Sequence, residues 1–109
     1  MAYDEGLAQR IEDALTGRIK FTTKKMFGGL AFFMDGNMVC GVSGDGLMAR
    51  VGADNYEAAL AEPNVELFGP ANRPMTGWVL VTAEGIAEND DLQRWLDKGL
   101  AVAAGLPPK

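Results

Sequence analysis

The stretch TTKKMFGGLAFFMDG, from Thr22 to Gly36, decides how this chain folds. It enters as a basic, polar strand, is interrupted at Gly28-Gly29, continues as an apolar strand and closes in Asp35-Gly36. Asp-Gly is a turn dipeptide of the type I′ kind, whose central residues need positive φ, and a second one follows at Asp45-Gly46. Alternating apolar residues flank both pairs. The simplest product is a three-stranded antiparallel meander over about 24–34, 38–43 and 47–52.

Two-residue loops at both Asp-Gly pairs fix a register, and paired positions share a face of the sheet. Ala31, Phe33, Met38, Cys40, Val42, Leu47, Ala49 and Val51 then fall together on a wholly apolar face that helices should cover. Leu30, Phe32, Met34, Val39 and Met48 fall on the opposite face with Asn37, Ser43 and Arg50. That second face is greasy enough to want a partner and polar enough to meet water.

Outward from the meander, Leu7, Ile11, Ala14 and Leu15 form one apolar stripe on a helix from about Asp4 to Thr16, and Gly17 is suited to stop it. Asp54 can cap a short helix through Ala61 that turns Tyr56, Ala59 and Leu60 inward before Pro63. Residues 62–77 read as a long connection anchored by Val65, Leu67 and Phe68. Trp78 to Thr82 reads as a strand, with a short one before it around Met75. A last helix begins at Asn89 or Asp90, carries Leu92, Trp95, Leu96 and Leu100 on one side, and ends at Gly105 and Pro107-Pro108. The order α-β-β-β-α-β(-β)-α predicts a two-layer α+β domain over 1–109, an antiparallel sheet with helices on one face.

The chemistry on offer is sparse. The 109 residues include no histidine and one cysteine, so Ser-His-Asp catalysis has no base, and a zinc site would have to be built from carboxylates. Cys40 sits mid-strand on the expected core face and reads as a buried structural thiol. Glu84, Glu88, Asp90 and Asp91 stand where turns and helix starts ordinarily carry acids. No catalytic residue, metal or cofactor is therefore expected. A net charge of −5 weighs against unaided nucleic-acid binding, although Arg18, Lys20, Lys24 and Lys25 cluster early in the chain. The apolar runs are too short to span a bilayer, the N-terminus lacks the pattern of a signal peptide, and a lone cysteine fits a reducing compartment, so a cytoplasmic location without membrane attachment is expected.

Taken together, Lys24-Lys25-Met26-Phe27-Gly28-Gly29, Phe32, Gly36, Met38, Gly41, Leu47-Met48-Ala49-Arg50, Arg73-Pro74-Met75 and Trp78 resemble the N-terminal domain of the TfoX/Sxy family. The resemblance covers about residues 5–100. It implies a fold like that of secretion chaperones and a role in regulating bacterial competence for DNA uptake, alongside a transcription activator rather than as an enzyme. It also implies a C-terminal helical domain in full-length members, which this chain, ending at Lys109, lacks, so a stand-alone domain is expected.

Two functions follow as expectations. One is a non-catalytic regulatory module that binds a protein, such as a transcription factor or a second copy of itself, through Leu30, Phe32, Met34, Met48 and Arg50. The other is a binding domain for an anionic metabolite, held between the 62–77 connection and the sheet by Phe68, Met75 and Trp78, with Arg73, Lys24 and Lys25 as further anion contacts.

Overall fold

Asp4 caps the first helix, α1 (Glu5–Leu15), by accepting a hydrogen bond from the Leu7 amide at 3.1 Å, and Gly17 leaves it at φ +86°. The computed structural model describes residues 3–26, 28–69 and 75–108, and of Met26 only the backbone. Beyond α1 come the strands β1 (Thr22–Met26), β2 (Gly29–Met34), β3 (Asn37–Ser43) and β4 (Gly46–Arg50). A 3₁₀ turn (Ala53–Asn55) leads into α2 (Tyr56–Leu60), followed by β5 (Val65–Leu67) and β6 (Trp78–Val81). A second 3₁₀ turn (Ala83–Ile86) precedes α3 (Asn89–Ala104). The strands form one antiparallel sheet in the order β1-β2-β3-β4-β6-β5. This is the expected α+β class, with one strand more in the meander and with the short strand of the long connection at Val65–Leu67 instead of around Met75.

Both differences have a local cause. The interruption at Gly28-Gly29 is a chain reversal, since Met26 pairs with Gly29 and Gly28 takes φ +75°, so the expected strand over 24–34 is a hairpin of β1 and β2. In the connection, the anchors Val65 and Leu67 belong to β5, paired with Val81 and Val79. Met75 is outside any strand, although its amide bonds to the Phe68 carbonyl at 2.8 Å. Asp54 makes no side-chain cap; instead Asn55 donates its amide to the Val51 carbonyl at 3.2 Å.

The larger correction concerns the faces. The Asp35-Gly36 loop forms as expected, with φ +53° and +82° and Met34 opposite Asn37, but the register shifts between Phe33 opposite Met38 and Phe32 opposite Cys40. Val39 is the extra residue of a β-bulge, and relative to the simple ladder all of β2, with Asn37, Met38 and Val39 of β3, changes sides. Leu30, Phe32 and Met34 therefore face the helices, as do Val39 and Asn37, while Ala31, Phe33 and Met38 face away. Phe32 is fully buried, its ring centroid 5.9 Å from that of Phe21. At the next reversal, Ser43 opposes Gly46, so the loop is Gly44-Asp45 with positive φ at Gly44, not Asp45-Gly46. That shift is by two and leaves the faces unchanged. Cys40, Val42, Leu47, Ala49 and Val51 are on the helix side as expected.

The core lies between the sheet and the helices. Ile11 and Leu15 of α1, Ala59 of α2 and Leu92, Trp95 and Leu96 of α3 close over Phe32, Val39, Val42, Leu47, Val79 and Val81. Burying such side chains stabilises by about 1.5–3 kcal/mol each relative to exposure. α3 comes so close to the bulge that a Cβ on Gly99 would overlap the Val39 carbonyl oxygen and stand 3.1 Å from Val39 Cγ1. Asn37 is 1% exposed, its amide donating to the Pro107 carbonyl at 2.9 Å, which ties the chain after α3 to the start of β3. Arg10 joins α1 to the start of α3 through the Ile86 carbonyl at 2.7 Å and Asn89 Oδ1 at 3.0 Å. No helix among the described residues is long and apolar enough to cross a membrane.

Candidate functional site

The outer side of the sheet is built by pairing alone. Lys24 opposes Ala31, Ala31 opposes Gly41, Gly41 opposes Met48, Met48 opposes Leu80, and Leu80 opposes Glu66. Beside this row stand Phe33 with Met38, and Arg50 with Trp78. Ala31, Phe33, Met38, Met48, Trp78 and Leu80 are all excluded from the core cluster. They make a second apolar surface, on the side away from the helices.

Glycines set its relief. A Cβ on Gly41 would run into Met48 Cε and approach the Leu30 carbonyl at 2.9 Å and Met38 Cε at 3.2 Å, so two methionine ends lie over this glycine. Leu80 leans over Gly46 in the same way, 3.1 Å from where a Cβ would stand. The result is a shallow surface of thioethers and aliphatic groups, with Phe33, Met38, Trp78 and Leu80 half-buried and Met48 at 4% exposure. Methionine, unbranched and polarizable, can reshape itself against an incoming surface.

Arg50 is the polar group at one end of the face, the last residue of β4. Past the last ladder pair of β3 and β4, its Nη1 donates to the Met38 carbonyl at 2.9 Å, and its Cζ lies 5.4 Å from the centroid of the Trp78 ring. It thus satisfies the carbonyl beside the bulge while stacking on the indole, an arrangement that holds the guanidinium in one place.

Of the residues expected on an interaction face, Met48 and Arg50 are on this surface, whereas Leu30, Phe32 and Met34 pack on the helix side. Phe33, Met38 and Leu80 were missed there. Tandem aromatics at Phe32-Phe33 make either register apolar, so composition carries no sign of which one turns outward. Among the expected anion contacts, Lys24 is on the outer face and Lys25 on the opposite side of the same edge strand, both exposed. Trp78 is engaged by Arg50, Met75 is 45% exposed, and Arg73 lies outside the described residues.

A depression of about 750 Å³ runs instead along α3, lined by Asn55, Asp90, Gln93, Arg94, Asp97 and Lys98 among others. Its charges are largely spent on one another and on the core. Arg94 pairs with Glu62 at 2.9 Å and lies 4.7 Å from the Trp95 ring centroid. Partial desolvation works to raise the pKa of Asp97, but hydrogen bonds from Gln93 and Arg18, each at 2.9 Å, and the Arg18 charge outweigh it and hold the carboxyl below its ordinary value. Burial pushes the Cys40 thiol far up, so it carries no nucleophilic thiolate at neutral pH.

No curated protein and no solved structure matches the chain. The model of the TfoX N-terminal domain family matches residues 13–103, a span that takes in every strand of the sheet and nearly all of α3. With a match over most of its length, the chain belongs to the TfoX N-terminal domain family.

Proposed function

We propose that this chain is a regulatory interaction module of the competence-regulator kind, working by holding a protein against the outer face of its sheet rather than by catalysing a reaction. The observation that carries the reading is that face itself: Phe33, Met38, Met48, Trp78 and Leu80 form an apolar surface outside the core, with Arg50 fixed at one end beside Trp78. An apolar patch bordered by charge is what a docking site needs, and a methionine-rich one tolerates some variation in what docks. Membership of a family linked to the control of DNA uptake makes a component of that regulation the natural partner.

Phe33→Glu and Leu80→Glu place a carboxylate on the face at half-buried positions outside the core. Each variant should keep the far-ultraviolet circular dichroism of the parent and lose the protein that co-purifies with the parent from native cells. Co-purification unchanged in both variants would refute the assignment of the face.

A further inference from the structure

Arg18 and Arg94 pair with Asp97 and Glu62, and Arg10 donates to the Ile86 and Ala87 carbonyls and to Asn89 Oδ1, so these three guanidinium groups are spent inside the molecule. Arg50 is different. All 15 Asp and Glu residues of the chain are among the described residues, and none of them pairs with it. Its acceptor among the described residues is the Met38 carbonyl, reached by Nη1, which leaves Nε and Nη2 without one there. Those two nitrogens lie along one edge of the guanidinium, the fork that matches the two oxygens of a carboxylate.

The backbone holds the fork in place. Arg50 and Trp78 are the last ladder pair of β4 and β6, and the Gly77 carbonyl takes the next two amides, Val51 at 2.8 Å and Gly52 at 3.1 Å. With the indole at 5.4 Å on one side and the bond to β3 on the other, the long side chain is ordered before any ligand arrives, which lowers the entropy cost of binding. This end of the outer face is also its open end. The middle is closed, with Ala31 at 0% and Met48 at 4% exposure, whereas Arg50, Trp78 and Met38 keep part of their surface. Met75, whose carbonyl accepts the Trp78 amide at 3.1 Å, is 45% exposed.

We propose that Arg50 is a carboxylate-binding site, its Nε–Nη2 edge taking the side chain of an aspartate or glutamate that the docked protein presents among apolar residues. The proposal rests on the reading of the outer face as a docking surface and names the chemistry of the occupant. An acid flanked by apolar residues matches a guanidinium stacked on an indole at the end of an apolar face. The chain's net charge of −5 opposes a polyanion. Since no Asp or Glu of the chain reaches the fork, its complement comes from outside.

Two peptides, acetyl-Leu-Glu-Leu-amide and acetyl-Leu-Gln-Leu-amide, are titrated at fixed ionic strength into isotope-labelled protein while NMR follows the Arg50 Nε–H and Trp78 indole N–H resonances. The Glu peptide should shift both along a saturating curve with a Kd of about 1–10 mM, and the Gln peptide should bind at least about fivefold more weakly. Arg50→Lys keeps the charge and loses the fork, so Glu-peptide binding, read at Trp78, should weaken by about fivefold. Arg50→Gln loses the charge as well, and should weaken it by about tenfold or more. The peptide exchange is read on the parent protein, so it stands whatever the variants do to the fold. An equal response to the two peptides, no response to either, or Glu-peptide binding indifferent to Arg50→Lys overturns the proposal. Acetate binding as tightly as the Glu peptide overturns the assignment to a protein side chain. If Phe33→Glu abolishes capture of the native partner while Arg50→Lys leaves it intact, the carboxylate site falls and the docking reading stands. If the Glu peptide binds through Arg50 while capture ignores Phe33→Glu and Leu80→Glu, the reverse holds.

Discussion

Phe32 and Phe33 are consecutive, chemically identical and in the same strand, yet one belongs to the core and the other to the outer face. The two sides they serve are filled differently. Toward the helices the sheet presents Phe32, Val39, Val42, Leu47, Val51, Val79 and Val81, largely β-branched residues with few rotamers, locked against Trp95 and Leu96. On the other side it presents Gly41 and Gly46 beneath Met38, Met48 and Leu80. Apolar composition is common to both, so it does not separate the side that packs under the helices from the side that faces away from them. Register and the presence of a packed helix do.

The sharpest way to break that comparison is to truncate the two phenylalanines in turn. Phe32→Ala should lower the unfolding free energy in urea by about 3–5 kcal/mol, whereas Phe33→Ala should cost about 1 kcal/mol or less, because only the first leaves a cavity under the helices. Equal costs would mean that the bulge at Val39 is misplaced. Gly99→Ala tests the bulge from the other side, since the added methyl meets the Val39 carbonyl and Cγ1. A loss of about 1–3 kcal/mol is expected, and a neutral result would show that α3 can lift away from β3 at little cost. Asn37→Ala should cost about 1–2 kcal/mol by leaving the Pro107 carbonyl without its donor, and limited proteolysis should then cut more readily at 105–108. The smallest effect belongs to Asp97. Its carboxyl is held below its ordinary value in the folded chain, so the stabilisation from Gln93 and Arg18 is complete above the unfolded-state pKa of about 3.9 and disappears as pH falls through the lowered folded value. The pair is solvent-exposed, so comparing Asp97→Asn with the parent by thermal melting should find a few tenths of a kcal/mol at neutral pH and none in acid.

Much of the architecture is legible in the sequence because it is written in local chemistry. Asp4 and Gly17 bound α1, Asp35-Gly36 makes the hairpin it advertises, and the 92-95-96-100 stripe turns α3 toward the sheet. The hairpin at Gly28 reads in the sequence as a mere interruption because Gly-Gly allows either a bend or a full reversal. Val65 and Leu67 read as anchors in a loop because a three-residue strand is too short for alternation to register. The bulge is hidden for a different reason. Met38, Val39 and Cys40 are all apolar, so nothing marks the residue at which the pleat slips, and a slip of one exchanges Phe32 with Phe33. Met48 and Arg50 keep the outer side that the sequence pattern assigns them because the register of β3 with β4 shifts by an even number. The signal that could have located the bulge is Gly99, a helix-weakening residue in the middle of an otherwise regular apolar stripe, which marks where another backbone comes close.

The sealed position of Cys40 turns the sequence's lone sulfhydryl into a stopwatch. At 1% exposure, with burial disfavouring its ionised form, it can react with an alkylating reagent only while the sheet and helices are momentarily apart. The labelling rate of the native protein therefore counts those openings, and any ligand or second chain that clamps the sheet from its far side would slow the count without touching the sulfur.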